Sequence, residues 1–116
     1  MPETTGEFAH RRQEQNECVL SNADLTTKRF FSLDRAAYED GALSRETKEL
    51  LGLVASTVLR CNDCIRYHLE HARACGVSHE AIVEALSVAL IAGGSITIPH
   101  LRFAYDVLRT MDGGTG

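Results

Sequence analysis

Apolar side chains recur three and four positions apart along most of the chain, which predicts helices rather than strands. From Asp24 to about Asp40 the positions Leu25, Phe30, Phe31, Leu33, Ala36, Ala37 and Tyr38 fall at helical spacing, with Gly41 as a natural C-cap. Ser44 then opens a helix that runs from Arg45 to about Arg60. Glu46 faces its positive end, and Leu50, Leu51, Leu53, Val54, Val58 and Leu59 make a broad buried stripe. The next helix spans about Asn62 to Cys75, capped by Asn62 or Asp63 and ended by Gly76. Ser78 caps a further helix, in which Ala81 to Ala92 is apolar nearly all round apart from Glu84 and Ser87. A helix apolar on every face must be central, and in so small a domain it implies burial against a second subunit as well. Gly93 and Gly94 break it. Pro99 then sits in the first turn of a last helix carrying Leu101, Phe103, Ala104, Tyr105, Val107, Leu108 and Met111. Alternating strand patterns and internal repeats are absent from the sequence. The expected fold class is all-α, with about five helices in one domain over residues 21–112. Residues 1–20 mix charge and polarity without a clear period and read as a polar arm, loose or with a short helix. The Gly-rich residues 113–116 read as a frayed tail.

Composition narrows the function classes. With 116 residues the chain suits one domain that needs neither a metal nor a disulfide to fold. A hydrophobic share of 44% and a charged share of 24% are those of an ordinary soluble protein. The net charge of −4 argues against a nucleic-acid partner, which needs a basic face. Met1 to Glu7 is polar and acidic, so no export signal is expected, and no apolar run approaches the roughly 18 residues of a membrane span. Four cysteines without an export signal favour a reducing cytoplasm, where Cys-x-x-Cys reads as metal-binding or redox-active.

The chemistry gathers in Arg60-Cys61-Asn62-Asp63-Cys64-Ile65-Arg66-Tyr67-His68. On a helix, Cys61, Cys64 and His68 fall on one stripe. Two thiols one turn apart can close a disulfide, and both a helix N-terminus and a nearby imidazolium favour the reactive thiolate. A metal reading uses Cys61, Cys64, His68 and His71 as ligands. On one helix these would spread over about 15 Å, too far for one tetrahedral ion. A plainer reading makes the cysteines small buried apolar residues and His68 a satisfied core histidine. Thioredoxin-like chemistry expects a βαβ context that the pattern lacks. No role is assigned to Cys18, Cys75, His71, His79 or His100.

From Gly41 to Gly94 the sequence resembles the AhpD-like branch of the carboxymuconolactone decarboxylase family. The resemblance is carried by Gly41-Ala42-Leu43-Ser44, Lys48 to Ala55, Cys61-x-x-Cys64-Ile65-x-x-His68, Ala72, Gly76-Val77, Glu80 to Ala85, and Gly93-Gly94. It implies an all-helical subunit that assembles into trimers or hexamers. It also implies a peroxidase that reduces organic hydroperoxides through a dithiol/disulfide cycle, with no cofactor. Carried over by motif, Cys64 becomes the sulfenic acid nucleophile, Cys61 the proton donor and resolving thiol, His68 the base and Glu49 the proton relay. The reductant would be a dithiol such as dihydrolipoamide, or a thioredoxin-like protein. A histidine that often stands between the cysteines in this pattern is replaced by Asp63, whose charge opposes thiolate formation. Two other readings are lactone decarboxylation, which does not rely on the Cys-x-x-Cys pair, and a helical oligomer that senses oxidation without turnover.

Spacing supports one half of that assignment directly, because Cys64 and His68 are one turn apart. Glu49 precedes Cys61 by twelve residues, about 18 Å of straight helix. It can join the site only if the chain reverses near Cys61 and the two helices pack antiparallel, so that Glu49 meets His68 sideways.

Overall fold

The computed structural model describes residues 3–112. Every regular element among them is helical: α1 (Thr5–Asn22), α2 (Leu25–Ala37), α3 (Arg45–Val58), α4 (Asn62–Ala74), α5 (His79–Gly93) and α6 (Ile98–Met111). One 3₁₀ turn, Ser95–Thr97, leads into α6. The all-α expectation therefore holds, with one more helix than the pattern suggested. The expected tail at 113–116 lies outside the described residues.

The additional helix is α1, 18 residues long where a loose arm or short helix was expected. Its start is fixed by a capping box: the Thr4 hydroxyl accepts from the Glu7 N–H at 3.0 Å, and the Thr4 N–H donates back to Glu7 at 3.2 Å. Further along, α2 starts at Asp24, whose carboxylate accepts from the Thr27 N–H at 2.9 Å. That backbone hydrogen bond holds the Asp24 carboxyl below its usual range. The helix stops at Ala37 with Tyr38 as its C-cap, so Gly41 does not end it. Contacts gather into two compact units, Met1–Glu39 and Asp40–Gly116.

The second unit holds the core. Leu53 of α3, Ile65, Leu69 and Ala72 of α4, Ile82 and Leu86 of α5, and Ala104, Val107 and Leu108 of α6 form one buried cluster with Val77. Helix α3 packs against both α4 and α5, and α4 against α6. Ser44 and Ser78 cap α3 and α5 as their positions predict, and Pro99 lies in the first turn of α6. Helix α5 is buried on only one face within the chain. Ile82, Leu86 and Ala89 are fully covered, while Val88 and Ile91 remain 57% and 85% exposed.

Gly93 shows why the end of α5 is glycine. A Cβ there would sit 2.5 Å from Cγ2 of Thr97 and 3.4 Å from Cγ2 of Val58. Thr97 is fully buried and its hydroxyl is bonded to the Gly94 carbonyl at 2.8 Å, so it cannot swing away. Gly93→Ala is therefore expected to lower stability by about 1–3 kcal/mol through overpacking. Chemical denaturation of the variant would read this as a lower midpoint with an unchanged slope.

Candidate active site

The link between α3 and α4 is only three residues long, and it is what builds the site. At the end of α3 the Cys61 N–H donates to the Ser56 carbonyl and the Arg60 N–H to the Thr57 carbonyl, both at 3.0 Å. This is a Schellman closure with Arg60 in the position that usually holds glycine. Arg60 accordingly has φ 62°, the one positive value at a non-glycine residue among those described. The left-handed residue turns the chain back on itself, and α4 begins at once.

Cys61 belongs to both ends of that reversal. It closes α3 and is the N-cap of α4, a place expected for Asn62 or Asp63. Its sulfur accepts from the Cys64 N–H at 3.3 Å, as a serine oxygen would in the same place. Cys61 thus sits just outside the helix rather than on its stripe, and its sulfur folds back over the first turn. The two sulfurs are 2.7 Å apart, and both cysteines are free thiols. A disulfide bond, at about 2.03–2.05 Å, needs little further approach. Cys64 is exposed and Cys61 partly covered. Cys64 lies in the first turn of α4, where the helix dipole favours negative charge.

His68 lies one turn beyond Cys64 on the same face of α4. Its other neighbour comes from α3. Nδ1 of His68 is 2.8 Å from Oε1 of Glu49. The reversal at Arg60 thus does what the sequence required of it, and brings the carboxylate sideways onto the middle of α4. Both residues are buried: Glu49 has no exposed surface and His68 has 8%. The second carboxylate oxygen, Oε2, has no hydrogen-bond partner among the described residues. It faces Nη2 of Arg45 at 3.6 Å, too long for a hydrogen bond and within ion-pair range. Arg45 was not singled out in the sequence, although it stands one helical turn before Glu49.

Three of the remaining histidines are held elsewhere. Nδ1 of His71 bonds the Tyr67 carbonyl at 2.8 Å, and its ring stacks on Tyr67 with centroids 3.8 Å apart. His79 and Arg73 share Asp112 at 2.8 and 2.9 Å, tying the start of α5 and the end of α4 to the end of α6. His100 of α6 bonds the Asn62 side chain at 2.8 Å, at the rim of the dithiol turn. Cys18 is exposed on α1, and Cys75 is the C-cap of α4. Among the described residues no group of three or more His, Cys, Asp or Glu side chains is placed to hold a metal ion, and no helix is long and apolar enough to cross a membrane.

Known proteins share this fold. The model of the carboxymuconolactone decarboxylase family matches residues 25–106. Two crystal structures of one Thermotoga maritima protein superpose on the chain. The first has a TM-score of 0.84 and 57% identity, covering 92% of this chain and 96% of that one. The second gives 0.82 and 53%, covering 94% and 96%, and is described as a carboxymuconolactone decarboxylase family protein for which involvement in an antioxidative response is suggested. A family member from Legionella pneumophila has the same fold, with a TM-score of 0.80 at 24% identity over 89% of this chain and 92% of its own. An uncharacterised protein of the cox locus of Paracoccus denitrificans is 34% identical over 84 residues, 72% of this chain and 76% of that protein. The chain belongs to the carboxymuconolactone decarboxylase family.

Proposed function

We propose that the protein is a thiol-dependent peroxidase that reduces organic hydroperoxides through the Cys61/Cys64 pair. The observation that carries the reading is the buried Glu49–His68 contact at 2.8 Å, one helical turn from an exposed thiol that touches a second thiol. A buried carboxylate–imidazole pair facing a nucleophile is the arrangement of a general base with its orienting group.

In the proposed cycle His68, oriented by Glu49, takes the proton of Cys64. The thiolate attacks the distal oxygen of ROOH, the O–O bond breaks, and Cys64 becomes a sulfenic acid. The proton held by His68 passes to the departing alkoxide and gives ROH. The Cys61 sulfur then attacks the sulfenic sulfur, the S–S bond forms, and hydroxide leaves with the Cys61 proton as water. An external dithiol, such as dihydrolipoamide or the dithiol of a thioredoxin-like protein, reduces the disulfide and is itself oxidised. A reducing cytoplasm would supply it. The exposed apolar residues of α5, Val88 and Ile91, suit burial in a homotrimer or hexamer.

Turnover is the test. With catalytic protein and excess dihydrolipoamide, cumene hydroperoxide is expected to disappear over many cycles. Loss of two thiols per chain followed by arrest, with every dithiol tried, would instead mark a sensor. Failure of the thiols to react would leave lactone decarboxylation as the reading to pursue.

A further inference from the structure

Arg45 occupies the first position of α3, where the helix dipole disfavours a cation. The helix dipole therefore does not explain an arginine here. Its side chain nevertheless reaches one turn along to Glu49, with Nη2 3.6 Å from Oε2. That oxygen is buried and accepts no hydrogen bond among the described residues. Burial without a hydrogen bond disfavours the charged form of a carboxylate, and a neighbouring cation favours it.

The charge state of Glu49 decides which nitrogen of His68 is bare. A neutral imidazole carries one proton. When Glu49 is ionised it can only accept, so Nδ1–H donates to Oε1 and Nε2 is left with a lone pair. When Glu49 is protonated it donates to Nδ1, and the imidazole proton sits on Nε2. The first arrangement can receive a proton from a thiol, and the second cannot.

From this we infer that Arg45 is a positioning residue: its guanidinium keeps Glu49 ionised and so fixes His68 in the tautomer whose Nε2 accepts the Cys64 proton. The inference rests on the base role proposed for His68. The proton leaves Sγ of Cys64 and comes to rest on Nε2. The Nδ1 proton stays in the bond to Glu49, and Arg45 exchanges none.

Two readouts that need no peroxide test it. Long-range ¹H–¹⁵N spectra of the reduced full chain, at one slightly alkaline pH, report the tautomer of each of the five histidines. The His68 signals are assigned by their loss in His68→Gln. Wild type and Arg45→Lys are expected to show the Nδ1–H form, and Arg45→Gln the Nε2–H form. Alkylation of Cys64 by iodoacetamide, followed on its peptide, is expected to fall about tenfold in Arg45→Gln, below the roughly 10²–10⁴-fold worth of a complete general base. Arg45→Lys should restore it. Wild-type tautomer and rate in Arg45→Gln would overturn the inference. So would an Nε2–H tautomer in the wild type, a result that stands even if Arg45→Gln does not fold. If wild type ignores hydroperoxides while Arg45→Gln still switches the tautomer, the peroxidase reading fails and the positioning role survives.

Discussion

Cys64→Ser is expected to consume hydroperoxide no faster than buffer, even with excess dithiol present. A hydroxyl in the place of the thiol stays protonated at neutral pH, and only the thiolate attacks peroxide at a useful rate. The substitution is small, the side chain is exposed, and the fold should be untouched. Cys18 and Cys75 remain in the variant. Neither belongs to the Cys-x-x-Cys turn, so slow stoichiometric oxidation of those thiols is the most they should give. Peroxide consumption under dithiol is the measurement. Full turnover by Cys64→Ser would place the nucleophile elsewhere and end the scheme.

The second large effect falls on the buried pair. His68→Gln is expected to lower kcat/KM by about 10²–10⁴-fold, the usual worth of a general base. It also leaves the buried Glu49 carboxylate without its hydrogen-bond donor at Oε1, and a buried acceptor left unsatisfied typically costs about 1–3 kcal/mol. Glu49→Gln keeps the shape and a hydrogen bond. Its amide can donate to Nδ1, however, which drives the imidazole proton onto Nε2 and removes the acceptor. A comparable loss of rate at nearly full stability is expected. Because the two residues act as one unit, the double variant should be little worse than His68→Gln alone. Steady-state kinetics beside thermal unfolding separates the effects. Additive losses would mean that Glu49 acts independently of His68.

The features that could be read in the sequence were local ones. Helical spacing and the caps at Ser44, Ser78 and Pro99 located α3, α5 and α6, because each signal is written within a turn or two of the residue it governs. The Cys64–His68 neighbourhood followed from spacing alone. Glu49 could be reached only by requiring a chain reversal near Cys61, and the reversal is there. Its mechanism was hidden, because a Schellman closure normally advertises itself with glycine and here Arg60 takes the left-handed position at φ 62°. For the same reason Cys61 was placed on the stripe of Cys64 and His68 rather than at the cap. A cysteine is an uncommon N-cap, so Asn62 and Asp63 were the natural candidates beside it. The full length of α1 was missed because its stripe is weak, although the capping box at Thr4 and Glu7 was present as a signal. The apolar circumference of α5 implied burial on every side, and Val88 and Ile91 are exposed within the chain. Within one chain its covered side faces mainly α3, with Ile82, Leu86 and Ala89 buried. The contact of Arg45 with Oε2 depends on side-chain reach, which spacing suggests but does not fix.

The central claim is that peroxide oxidises the sulfur of Cys64, and that Cys61 acts only afterwards. Cys61→Ser tests it most directly, since it removes the resolving thiol and leaves a hydroxyl able to cap α4 in its place. The reduced variant is mixed with one equivalent of cumene hydroperoxide and its peptides are weighed. The account predicts one added oxygen on the peptide containing Cys64, trapped by a sulfenic acid reagent, with no disulfide formed within the turn. An unmodified Cys64, or oxygen found on Cys18 or Cys75 instead, would contradict it.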